Sequence, residues 1–286
     1  MSSAPNHTAA IGYIHHPGPP DPKRYQAQRC YVEERLVTLK GGQTLHDAIV
    51  EALQEHAISS AYLTINDAEM ETLHYVIPGN DASGQHAAWY SETYQLSPPA
   101  NILTAGIHVG LRDGAPFLHC HGVWQTGDEP PSVGHLLAPA SLLASDLQVS
   151  CLAIEGAYLA VTADEETRFP LFAPYQNTVP ADQPNALLLT LRPNQDLSEA
   201  VATTAQRYGI ETAQIVGIGS LIQSCFTDGH RLESHANEIL ILDGKLEDGH
   251  STIHAVSVGI GGEQHQGQLA PGHNAICVTC ELLLRF

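Results

Sequence analysis

The sequence predicts a mixed helix-and-strand chain built twice, each copy a strand-helix-strand unit with a strand-rich tail. Three observations predict it. The phrase TLHDAIVEALQEHAISSAYLTI returns as DLSEAVATTAQRYGIETAQIVGI, and setting Leu45 on Leu197 also puts Gln43 on Gln195, Ala48 on Ala200, Ile58 on Ile210 and Ala61 on Ala213. Each copy then carries a two-residue turn signal, Asp113-Gly114 or Asp248-Gly249, between runs of alternating polarity. A stretch rich in Pro, Asn and Asp, FPLFAPYQNTVPADQPNA, lies between the copies. The expected organisation is an arm at 1–29, a first domain at 30–168, a linker at 169–185 and a second domain at 186–286.

In the arm, Pro17, Pro19, Pro20 and Pro22 exclude a regular helix or a central strand. Order is expected from Arg35, as a short strand, a turn and an amphipathic helix. Thr44 is placed to cap that helix, and Leu45, Ile49, Ala52 and Leu53 form its buried stripe. Ala61 to Ile65 reads as the next strand. Beyond it ILTAGIHVGL and APFLHCHGVW flank the Asp113-Gly114 turn. Counting back from the turn pairs Arg112 with Ala115 and sets His108 opposite His119. The same count in the second copy sets Asp243 opposite His254.

The stretch Pro116 to Leu137, PFLHCHGVWQTGDEPPSVGHLL, holds His119, His121 and His135. On a strand His119 and His121 share a face while Cys120 points away. The Gly-, Pro- and Asp-containing loop that follows can return His135 to them. Three imidazoles leave a tetrahedral cation one further position, which His108 or another group can fill. The second copy keeps His254 in the place of His119 but has Val256 for His121 and Gln268 or Gly267 for His135, so one centre and one degenerate copy are expected.

Twelve Lys+Arg against 31 Asp+Glu give a formal net charge of −19, which repels phosphate backbones on average; Lys23, Arg24 and Arg29 are the densest basic group. Nucleic acid is therefore disfavoured as a partner. No apolar run is long enough to span a bilayer and no secretory signal opens the chain, so the expected location is the cytoplasm, with the six cysteines reduced. Cys277 and Cys280 lie in an alternating apolar run and lack the turn that a metal or redox CxxC uses. There is no GxxxxGK[ST] phosphate loop and no GxSxG elbow.

HCHGVW…GHLLAP in the first copy, and NEILILDGKL and TIHAVSV in the second, resemble the plants and prokaryotes conserved (PPC) domain, which in plants accompanies an AT-hook. The resemblance implies an α+β fold, two tandem domains each with a largely antiparallel sheet flanked by helices, assembled as a homotrimer. It implies a metal site at His119, His121 and His135. Ser132-Val133-Gly134 departs from the family's double glycine, Asn101 stands where the second copy has Glu238, and no AT-hook core is present.

Two functions compete. A divalent cation, zinc first, could lower the pKa of a water for hydrolysis or deamination of a small polar or acidic metabolite. Asp128, Glu129 and Glu155 are the proton-transfer candidates, and Arg112 could hold a substrate carboxylate. The alternative is a non-catalytic binding or DNA-associated regulatory module with a structural metal, which gains if His108 or a carboxylate closes the shell.

Overall fold

The computed structural model describes residues 12–177 and 182–286; residues 1–11 of the expected arm and 178–181 of the expected linker lie outside the described residues. In the first half β1 (Tyr25–Leu39) leads to α1 (Leu45–Glu55) and β2 (Ala61–Val76). The hairpin β3 (Ala100–Arg112) and β4 (Ala115–Thr126) follows, then β5 (Ser132–Leu136), β6 (Leu147–Glu155), β7 (Ala157–Ala163) and β8 (Pro170–Gln176). In the second half β9 (Ala186–Leu191), α2 (Leu197–Arg207) and β10 (Ala213–Ile222) precede the hairpin β11 (Asn237–Glu247) and β12 (His250–Gly259), then β13 (Gln264–Gln268) and β14 (Ala275–Arg285).

The expectation of α+β units with helices flanking their sheets is overturned. Strands take 57% of the residues and helices 9%, and the strands join one mixed sheet of 16. Fourteen of these run in the order β8-β7-β3-β4-β5-β2-β6-β1-β9-β14-β10-β11-β12-β13, and two short strands off this path, Tyr94–Leu96 and Leu142–Leu143, pair with β2. Among the described residues there are two helices, each of 11 residues, too few to cover such a sheet. The halves cover each other instead: Ile218, Leu240, Val256 and Val258 of the second half are buried in the core built by α1 and β2–β6. Alternating strands bury one face each, and two such faces satisfy one another without helices.

Strand β1 begins at Tyr25, ten residues before the point where order is expected, because it pairs in two directions. Tyr25–Cys30 pairs with β9 and Tyr31–Leu39 pairs with β6, so one strand belongs to both halves of the sheet. Helix α1 is capped by Thr44, whose side chain accepts from the Asp47 amide, and buries Leu45, Ala48, Ile49, Ala52 and Leu53. Helix α2 is capped by Asp196, which accepts from the Glu199 amide.

Both Asp-Gly pairs adopt positive φ, 52° and 79° at Asp113 and Gly114, 49° and 77° at Asp248 and Gly249, as a tight hairpin turn with the sheet's twist requires. They set the register: His108 stands opposite His119, and Asp243 opposite His254. Strand β2 pairs with β3 along its first part and with β5 at Tyr75 and Val76, while β5 also pairs with β4. The four strands therefore curl back on themselves around Trp124, which is fully buried. No helix of the described residues is long and apolar enough to cross a membrane.

Candidate metal centre

The curl brings the three histidines together. His121 stands opposite His135 across the β4–β5 pair, and His119 lies two residues earlier on the same face of β4. Their ring centroids are 4.9 to 5.5 Å apart, and one ligand atom from each lies within 4.8 Å of the others.

The second half orients two of these rings. The Nδ1 of His119 donates to Oε2 of Glu281 at 2.7 Å, and the Nδ1 of His121 donates to the carbonyl of Ile239 at 2.8 Å. A carbonyl only accepts, so the proton of His121 sits on Nδ1 and its Nε2 keeps a lone pair. That Nε2 is buried without a hydrogen-bond partner, as is the Nδ1 of His135. Outer hydrogen bonds of this kind fix the tautomer and aim of metal-ligating histidines.

Burial, with the neighbouring His119, lowers His121 to about 3 and takes His135 well below its ordinary value. Both imidazoles are thus neutral near pH 7, the form that binds a cation. Glu238, 6% exposed, lies beside them at the start of β11, with Oε1 3.8 Å from Nε2 of His121 and Oε2 buried and unpaired. Burial raises its carboxyl to about 8. Orphaned ring nitrogens, an orphaned carboxyl oxygen and neutral imidazoles make a donor set that fits a divalent cation.

These groups line a cavity of about 120 Å³ between the halves, walled by Trp89, Tyr90, Phe117, Phe169 and Phe172. His108 is fully buried below His119; its Nε2 donates to the carbonyl of Glu281 at 2.9 Å, and burial lowers its pKa to about 4. It is not among the histidines whose ligand atoms gather. Asp128 and Glu129 lie in the exposed turn after β4, and Glu155 is exposed at the end of β6, lining a separate cleft with Arg35 and His56. Arg112 lies over the Phe117 ring at 5.4 Å. Cys277 and Cys280 are unpaired, fully buried and in different core clusters, and burial raises both thiols, Cys277 to about 12.

Sequence reasoning missed Glu281 as a site residue and used Glu238 only as a mark of divergence between the copies. One signal was present in each strand: a carboxylate inside an apolar run, ICVTCELLL and NEILIL. Buried carboxylates are rare without a partner.

No family model and no curated protein matches the chain. Solved structures similar to about half of it include a metal-containing protein from Archaeoglobus fulgidus, 23% identical over 51% of this chain and 96% of that one, TM-score 0.40. A PPC protein from Pyrococcus horikoshii is 16% identical over 52% and 96%, TM-score 0.39. A candidate DNA-binding protein from Ralstonia eutropha is 16% identical over 48% and 89%, TM-score 0.39. The DNA-binding description of the Ralstonia protein runs against the expectation, for this chain, of a small-molecule substrate with nucleic acid disfavoured. About half of the chain is thus similar to these solved structures, one of which is a PPC protein.

Proposed function

We propose that this chain is a metal-holding binding module of PPC-like fold, associated with DNA, in which a divalent cation on His119, His121 and His135 is part of the architecture. The observation that carries the metal is the trio of ring nitrogens within 4.8 Å, two of the rings being held by hydrogen bonds from the other half of the chain. A site oriented across the seam joins the halves. The loop carboxylates Asp128, Glu129 and Glu155, expected to move a proton in hydrolysis, do not line the cavity; the carboxyl groups that do, Glu238 and Glu281, are buried against the histidines from the second half. With a net charge of −19, DNA contact would rest on a local basic surface.

The test is metal analysis of the purified protein beside a His121→Ala variant. We expect one divalent ion per chain in the parent and loss of the ion in the variant, with thermal stability falling toward that of chelator-treated parent. DNA association is read by fluorescence anisotropy with labelled duplex between about 50 and 200 mM salt, where phosphate contacts weaken steeply. A parent without metal would end the first part of the reading, and no anisotropy change at the lower salt would end the second.

A further inference from the structure

We propose that Glu238 is the fourth ligand of the cation held by the histidine triad, so that the ion clasps the second half of the chain onto the first. The inference rests on the metal-holding reading above and adds a residue from a different half of the fold.

Glu238 is placed by packing on every side. It opens β11, paired with Ser220 of β10 and Val258 of β12, and the strand continues as the buried run Ile239, Leu240, Ile241. Its carboxylate therefore cannot swing out to water without lifting the strand that fills the core of the first half. It nevertheless has no hydrogen bond: Oε2 is buried and unpaired, and Oε1 is 3.8 Å from the equally unpaired Nε2 of His121. Nε2 of His121 and the carboxyl of Glu238 are thus buried side by side with no hydrogen bond between them, and polar groups left so are costly. One cation between them would satisfy both.

The neighbouring carboxylate has a different task. Oε2 of Glu281 already accepts from Nδ1 of His119, so Glu281 orients a ligand, whereas Glu238 is free to be one. Tetrahedral bonds of about 2.0–2.1 Å put ligand atoms about 3.3 Å apart, so the 3.8 Å gap is within reach of a small side-chain adjustment. Three imidazoles and one carboxylate would close the four-coordinate shell, as structural sites do. The equivalent position in the first half is Asn101, which is exposed, in keeping with a single clasp per chain.

The experiment loads the full-length protein with cobalt(II) in place of zinc and compares it with Glu238→Gln and His121→Ala. Affinity is read by competition with a chromophoric chelator, coordination by the visible absorption of cobalt, and access to the ion by adding azide. We expect the parent spectrum to be four-coordinate and unmoved by azide, and Glu238→Gln to bind at least about 100-fold more weakly, beyond the roughly 10–100-fold typical of an outer partner. The remaining ion in that variant should respond to azide. Affinity within threefold of the parent in folded Glu238→Gln, or a parent spectrum that azide changes, would overturn the clasp while leaving the triad. Metal retained by His121→Ala would overturn the triad as well. If Glu238→Gln failed to fold, the azide response of the parent would still decide.

Discussion

Glu281 offers the sharpest quantitative handle on the centre. Its carboxylate, 1% exposed, accepts from Nδ1 of His119 at 2.7 Å, a short bond between a carboxylate and a histidine of the proposed triad. Hydrogen bonds to charged groups contribute about 1.5–3 kcal/mol, and about 1.4 kcal/mol is a tenfold change in affinity. Removing the acceptor should therefore weaken metal binding by roughly 10–100-fold, the range found for outer partners of ligand histidines. Glu281→Gln keeps an acceptor of the same shape and loses only charge, so it should sit near the tenfold end. Glu281→Ala also leaves the Nδ1 proton unpaired and should approach 100-fold. The assay is competitive zinc titration against a chelator, with thermal unfolding of the metal-free proteins as the check on folding. Both variants folded and binding zinc within twofold of the parent would refute the orienting role.

Two further outcomes follow from the same seam. Leu240, 2% exposed, enters the core of the first half from β11, so Leu240→Ala should cost about 2–5 kcal/mol in urea unfolding; a cost below about 1 kcal/mol would mean that the halves do not share a core. Acid should destabilise the metal-free protein. Burial lowers His108 to about 4, His121 to about 3 and His135 well below its ordinary value, so between pH 6.5 and those values the unfolded chain takes up protons that the folded chain refuses. Their stabilisation is full above about pH 6.5 and is lost as pH falls. Glu238, raised from 4.5 to about 8, acts in the opposite sense over pH 8 to 4.5 and offsets one histidine. The net loss should be roughly 2–3 kcal/mol per pH unit between about pH 6 and 5, at about 1.4 kcal/mol per proton and pH unit. Unfolding free energies in urea that stay level from pH 7 to pH 5 would contradict this.

Much of the local structure was legible because neighbours in sequence cause it. The Asp113-Gly114 turn dictated a register in which His108 faces His119, and the 3.6-residue spacing of Leu45, Ile49, Ala52 and Leu53 marked the buried stripe of α1. His119, His121 and His135 were readable from strand alternation and a loop long enough to return, and the structure gathers them. The flanking helices expected from family resemblance were not there to find: between α1 and α2, and again after α2, the chain alternates with a period of two and bears no further helical stripe among the described residues.

What sequence neighbours could not convey is which distant surfaces meet. Glu281 lies 162 residues from the His119 it orients, and the carbonyl of Ile239 lies 118 residues from the His121 it holds. Their spacing in the chain carries no trace of those bonds, because they arise where the faces of two similar units bury their apolar residues against each other. Turns, helix stripes and the histidine trio come from short-range geometry and were present in the order of residues. The carboxyl groups set beside the trio come from the burial of one half upon the other, a property of the folded chain as a whole.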